Sequence, residues 1–440
     1  MNWKSLLSSS RQGRSHEGPL QRNEFEQDYD RVIFSHPFRR LQDKTQVFPL
    51  PEEDFVHNRL THSLEVASVG RSLGKHVGQE ILKKDSSLAD TFTPYDFGGV
   101  VAAASLAHDV GNPPFGHSGE AAISDFFLQH PLGNEILNLV SEEEKNDLIN
   151  FEGNAQGFRL LNQIKHGLRL TFATLGAFTK YPRSSCPQEA STEGVSHRKF
   201  GFFQSEKDLF QQVAKDIGLK ECGVQKWVRH PLAFLVEAAD DLCYHIIDLE
   251  DGCTLDLISL QETIDLYAGI IGSRFNPNKL SKKDSKAEKL GILRALSINE
   301  LIRQCVKQFL EVEHELLEGS FDKPLIDAIP ASSALKEIKA ISIKNIYRSR
   351  IVMEKEVGGF EVIAGLLSLM LGVQLRELKG NLTSQDKAIK RLLPLELSSP
   401  EKGGSTYLCT RKVIDFVSGM TDSFALTLHR KFGGIPTSLR

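Results

Sequence analysis

The sequence predicts an all-α protein. Apolar residues recur at spacings of three and four, strand-like alternation is scarce, and one long apolar run is bracketed by Pro231 near its start and Gly252 past its end. In chain order, residues 59–81 read as a helix with Leu60, Leu64, Ala67, Leu73 and Val77 toward one side. Residues 95–110 are Ala-rich and apolar all round, as a buried helix would be. Residues 230–252, 360–378 and 410–432 read as further helices. Three stretches, 181–201, 274–289 and 395–405, are rich in Ser, Pro, Gly and charge and read as loops. There is no tandem repeat. The expected organisation is an N-terminal segment (1–58), a helical core (59–260) and a helical C-terminal region (261–440) packed on it.

At 440 residues the chain is long enough for one large core or two merging domains. Hydrophobic residues make up 40% and charged residues 25%, the balance of a soluble globular protein. A net charge of −4 provides no overall basic field for nucleic acid. The cysteines (186, 222, 243, 253, 305 and 409) form no CxxC pair and fit free thiols in a reducing compartment. The first residues lack the apolar core of a signal peptide, and the apolar stretch 362–373 is too short to cross a bilayer. A cytoplasmic protein with no membrane partner is the expectation.

The stretch AHDVGNPPFGHSGE (107–120) ends an apolar run on His108–Asp109 and then turns. Neighbouring helical positions lie roughly 100° apart, so both side chains reach one point only where the helix opens. Gly111 and the Pro113–Pro114 pair supply that opening. A His beside an Asp at such a corner suits a divalent metal. Arg59 and His62 share a helix face three residues apart, and Asp240, Tyr244 and Asp248 align at i, i+4 and i+8. Asp241 is rotated off that side, which makes Asp240 the expected ligand. His62, His108, Asp109 and Asp240 would give two imidazoles and two carboxylates. That set admits Mg, Mn, Fe, Co, Ni or Zn.

These strings, RLTHSLEV (59–66), HDVGNPPFGHSGE (108–120) and LVEAADDLCYHIIDLED (235–251), resemble the HD superfamily of metal-dependent phosphohydrolases. Within it they are similar to one branch, the deoxyguanosine triphosphate triphosphohydrolases (dGTPases). SHPFRRLQDKTQVFPL, FEGNAQGFRLL, TKYP, KFGFF and DFVSGMTD match in the same order, so the resemblance covers about residues 22 to 430. It implies an HD-domain core, one divalent ion, with Mg or Mn leading, and cleavage of a dNTP, dGTP favoured, to deoxynucleoside and tripolyphosphate. His117 would transfer a proton as base or acid, with Glu120 orienting it. Arg59 would face the α-phosphate, and Asn154, Lys180, Tyr181 and Lys199 would clamp the triphosphate. Tyr244 and Asp248 would face the sugar. Gln46 and Val47, and more loosely Glu356, would lie near the base. Asn112 stands where many HD proteins carry histidine, which argues against a second metal there. The resemblance further implies homo-oligomers, commonly hexamers, and activation by a dNTP or by single-stranded DNA.

Each residue alone has an ordinary structural reading. His62 could be a hydrogen-bonded core histidine, Asp109 a cap, Asp240 a buried acid paired with a lysine, and Lys180 and Lys199 solvated. His57 reads as a surface residue. Two other functions fit the same residues: another HD phosphohydrolase (nucleotidase or phosphodiesterase), or a nucleotide-sensing or single-stranded-DNA-binding regulator.

Overall fold

The computed structural model describes residues 1–13, 23–46, 57–163, 167–186, 194–347, 350–394, 397 and 405–435. Its principal helices, numbered in chain order, are α1 (Glu24–Ile33), α2 (Arg59–Lys84), α3 (Pro94–Ala107), α4 (Gly116–Gln129), α5 (Gly153–Asn162), α6 (Phe172–Phe178), α7 (Pro231–Thr254), α8 (Lys286–Glu311), α9 (Arg350–Leu378), α10 (Thr406–Ser418) and α11 (Asp422–Phe432). Among the described residues the one sheet is a short antiparallel hairpin, Glu221–Gly223 with Lys226–Trp227. The all-α expectation stands.

The centre of the molecule is the pairing of α2 with α3. Three α2 glycines at four-residue spacing make it close. A Cβ on Gly70 would lie 2.5 Å from the Ser105 hydroxyl, on Gly74 2.6 Å from the Phe97 carbonyl, and on Gly78 2.7 Å from the Phe97 ring. Phe97, Val100, Val101 and Ala104 of α3 are consequently buried, each large side chain contributing about 1.5–3 kcal/mol. Helix α1 packs on α3, α7 crosses both central helices, and α8 packs on α2 and α7. Asn58 starts α2 with a reciprocal capping box to Thr61, which sets where Arg59 and His62 begin the helix.

A second apolar cluster joins α4 and Phe203 to α9, α10 and α11. The apolar contacts thus run across residue 260: α4 is part of the HD-type core in sequence, yet packs mainly on α9. Several helix ends differ from the sequence reading: 360–378 belongs to a helix that begins at Arg350, and 95–110 ends at Ala107. The 410–432 stretch is two helices, broken at Gly419–Thr421, where Thr421 caps α11. Within 274–289, Pro277–Leu280 is a short helix and α8 begins at Lys286, capped by Ser285. Residues 187–193 and most of 395–405 lie outside the described residues.

One described helix, Val352–Leu378, is long and apolar enough to cross a membrane by length and composition, with a mean hydropathy of 1.6. The apolar stretch seen in sequence is therefore part of a longer helix. Half of its most apolar window is buried against the rest of the chain, as in the core helix of a globular protein.

Candidate active site

His62, His108, Asp109 and Asp240 converge from α2, the end of α3 and the middle of α7. The ligand atoms of His62, His108 and Asp109 lie within 4.8 Å of one another. The Asp240 Oδ1 is 3.1 Å from His62 Nε2 and 3.4 Å from His108 Nε2. His108 Nδ1 lies 2.7 Å from the Ser105 carbonyl, which can only accept, so Nδ1 carries a hydrogen and Nε2 is the nitrogen that faces inward. Asp109 divides its two oxygens. Oδ1 accepts from Arg59 at 2.8 Å and from Asn112, whereas buried Oδ2 has no hydrogen-bond partner and sits 3.5 Å from His108 Nε2. A buried carboxylate oxygen with no hydrogen-bond partner is costly without a cation. The donor set therefore fits a divalent ion of the Mg, Mn, Fe, Co, Ni or Zn group.

The adjacent aspartates of α7 are separated by their surroundings. Burial opposes charge on Asp240, but His108 and His62 outweigh it and hold the carboxyl well below its ordinary value. Burial lifts Asp241 to about 7, against the opposing charge of Lys180.

His117 occupies the first turn of α4, 86% exposed toward the cavity. Its Nδ1 donates to Glu120 Oε2 at 2.8 Å, which leaves Nε2 free. Glu120 is pinned in turn: its Oε1 accepts from the Gly153 amide at 2.7 Å. The hydrogen bond to Glu120 raises the His117 pKa, against the smaller effect of burial. A Cβ on Gly153 would stand 2.4 Å from Asn112 Oδ1 and 2.6 Å from Glu120 Oε1, so this approach requires glycine.

These groups open on a cavity of about 620 Å³, of a size for a nucleotide. Its wall also carries cations already paired with carboxylates. Lys180 lies 3.1 Å from Glu237, which also takes Arg229 at 2.6 Å. Lys199 lies 3.0 Å from Glu152, and Asn154 donates to the same carboxylate at 2.6 Å. Tyr181 packs beneath Lys180 and Arg229. Tyr244 also lines the cavity, stacked on Tyr347 with ring centroids 5.5 Å apart. Gln46 and Glu356 also line the cavity, and Gln46 Oε1 is buried without a partner. Two expectations are placed otherwise. Asp248 does not line the cavity: it lies behind Tyr347, whose hydroxyl donates to it at 2.5 Å, and burial raises its carboxyl to about 8. Val47 lies outside the described residues.

Comparison with known proteins meets this geometry. The HD domain model matches residues 59–161, and the phosphohydrolase-associated domain model matches residues 330–431. A deoxyguanosinetriphosphate triphosphohydrolase-like protein of Synechocystis sp. is 42% identical over 99% of this chain and 100% of its own. A protein of the same description from Pseudomonas aeruginosa is 40% identical over 99% of both chains.

The chain belongs to the dGTP triphosphohydrolase-like family of HD-domain proteins.

A more distant relative, the deoxyguanosinetriphosphate triphosphohydrolase of Cronobacter sakazakii, is 30% identical over 98% of both chains. Membership in this family makes the chain an HD-domain phosphohydrolase, and the HD domain implies a divalent metal.

Sequence reasoning missed several residues of this family member's cavity. Glu237 could have been found, because it lies three residues before Asp240 on the same helix face. Tyr347 and Phe115 carry no spacing signal and reach the cavity only through the fold. His57, read as a surface residue, is half-buried and paired: it lies 2.9 Å from Asp251 and 3.3 Å from Glu65. These carboxylates outweigh burial and raise it to about 10.

Proposed function

We propose that this protein hydrolyses deoxynucleoside triphosphates, dGTP favoured, to the deoxynucleoside and inorganic tripolyphosphate. The observation that carries the reading is the convergence, in one nucleotide-sized cavity, of a bare Asp109 oxygen between imidazoles with a His–Glu pair and a wall of cations. His62, His108, Asp109 and Asp240 would hold the ion, Mg or Mn in our reading. When bound, it supplies polarisation of the α-phosphate and a lowered pKa for the attacking water.

The chain's own groups do the rest. Arg59, held by Asp109, faces the α-phosphate and offsets charge building on its oxygens. His117 handles the proton at its free Nε2, and Glu120 keeps that nitrogen free by accepting from Nδ1. Lys180 and Lys199 grip the outer phosphates with Asn154 and Tyr181, exchanging their carboxylate partners for phosphate oxygens. Tyr244, braced by Tyr347, packs under C2′ and leaves no room for a 2′-hydroxyl. Asp248, held by the Tyr347 hydroxyl, anchors that sugar-facing side. Gln46, Glu356 and Val47 stand nearest the base. The reading includes a cytoplasmic location, a homo-oligomer, hexameric by resemblance, and activation by a dNTP or single-stranded DNA. Similarity to proteins named as deoxyguanosinetriphosphate triphosphohydrolases, or as like them, supports the triphosphohydrolase reading.

Phosphorus NMR of the Mg- or Mn-loaded protein with dGTP tests it. Tripolyphosphate without orthophosphate is the expected product. Orthophosphate or pyrophosphate would instead indicate a nucleotidase-type HD enzyme. No turnover of any dNTP, alone or mixed, would leave the nucleotide-sensing role.

A further inference from the structure

Between Asp109 and His117 the chain has few backbone hydrogen bonds of its own. Pro113 and Pro114 have no amide hydrogens, and Phe115 has φ +63°, a left-handed conformation rarely adopted by a residue with a Cβ. Within the turn, the Asn112 amide bonds to the Asp109 carbonyl at 3.2 Å and the Gly116 amide to the Pro113 carbonyl at 3.3 Å. The Asn112 carbonyl and the Phe115 amide are each taken by a residue far away in sequence.

Lys44 Nζ donates to the Asn112 carbonyl at 2.6 Å and to the Ser418 carbonyl, at the end of α10, at 2.9 Å. Asp422 Oδ1 accepts from the Phe115 amide at 3.0 Å. Its Oδ2 accepts from the Thr45 amide at 3.1 Å and the Thr45 hydroxyl at 2.5 Å. Lys44 is 3% and Asp422 2% exposed, and neither lines the cavity. The two side chains thus cross-link residues 44–45, the turn and residues 418–422, gripping the turn at both ends.

We propose that Lys44 and Asp422 are positioning residues that fix the separation between the metal corner and His117. The proposal rests on His117 being the proton-transfer group of the preceding reading. His62, His108 and Asp240 are carried on or at the ends of α2, α3 and α7, and Asp109, which accepts from Asn112 at the Lys44 end, is also held by Arg59, so the Asp422 end of the grip touches no ligand. His117 follows the turn and depends on the grip. The C-terminal helices then act on the chemistry through two backbone hydrogen bonds, without touching substrate.

Asp422→Ala in the full-length protein removes the acceptor for Phe115 and Thr45, and Asp422→Asn keeps one oxygen for the Phe115 amide. For Asp422→Ala, kcat falls by about 10–100-fold, the scale of lost supporting contacts. KM and Mn²⁺ affinity, by calorimetry, change by less than about threefold. Asp422→Asn recovers part of the loss, and Lys44→Met, acting at the other end, reproduces it. By hydrogen exchange and mass spectrometry, peptides over 108–120 exchange faster in Asp422→Ala, whereas peptides over 95–107 stay protected. A kcat near that of the wild type overturns the proposal. So does a parallel loss of Mn²⁺ affinity with faster exchange throughout, which would mark general loosening. If the wild type releases no tripolyphosphate, the functional reading fails by itself, and the exchange experiment still decides whether Asp422 holds the turn.

Discussion

Replacing Asp240 by alanine should nearly abolish binding of a divalent ion, whereas replacing its neighbour Asp241 should leave binding intact. Asp240 Oδ1 stands 3.1 Å from His62 Nε2 and 3.4 Å from His108 Nε2, facing the centre that the bare Asp109 oxygen also faces. Its charge is secured there, since the imidazoles hold the carboxyl well below its ordinary value despite burial. A single unit charge pair at about 4 Å and an effective dielectric of about 20 is worth about 4 kcal/mol. That corresponds to roughly a thousandfold loss of affinity, and a divalent ion doubles the energy before water replaces the lost ligand. Asp241 does not line the cavity and is lifted to about 7 by burial, so its removal takes little charge from the centre. Titration calorimetry of Mn²⁺ into the metal-stripped wild type and both variants measures this directly, with melting curves confirming that each folds. Equal loss of affinity in the two variants, or undiminished affinity in Asp240→Ala, would refute the assignment of ligands.

Other expectations concern the support around this centre. Glu120→Gln takes away the charge that raises His117, so the limb of the pH–rate profile reporting His117 should move to lower pH; an unmoved limb would remove His117 from that role. In Gly111→Ala, the new Cβ would lie 2.0 Å from the Gly153 carbonyl and 2.1 Å from the Gly157 amide, both rigid backbone. Denaturant unfolding should show a loss of about 3 kcal/mol or more, and a loss below 1 kcal/mol would mean that α5 can retreat. His57 is raised to about 10 by Asp251 and Glu65, so the stability it contributes is complete below its ordinary pKa of 6.5 and disappears as pH rises through 10. His57→Ala should flatten the fall in melting temperature across that interval, and an unchanged slope would place the titration elsewhere. Tyr244→Ala should open the space under C2′ and reduce the preference for dGTP over GTP, read as a ratio of kcat/KM values.

Much of the architecture was legible because helices write themselves in local spacing. The 59–81 and 230–252 runs became Arg59–Lys84 and Pro231–Thr254, since capping residues and apolar period act within a few turns. The 410–432 run was read as one helix because both halves keep the same period. The break at Gly419–Thr421 is stabilised by Arg40, which donates to the Gly419 carbonyl at 2.9 Å, a partner that no local pattern announces. Asp248 illustrates the same limit within the site. Its i+8 relation to Asp240 suggested a place on the same side of α7, yet Tyr347, from another helix, covers it.

By itself the sequence determined which residue types could carry the chemistry: a His–Asp pair at a helix end, a histidine and arginine sharing a face, and acids repeating along α7. Those are properties of helical geometry and need no neighbour. The tertiary structure alone decided which lone pairs meet, which carboxylate oxygen stays bare, and which cations are paired in advance. It also decided that Lys44 and Asp422 grip a turn distant from both in sequence. The reason is physical: hydrogen bonds and charge interactions act over a few ångströms of space, and chain separation does not register that distance.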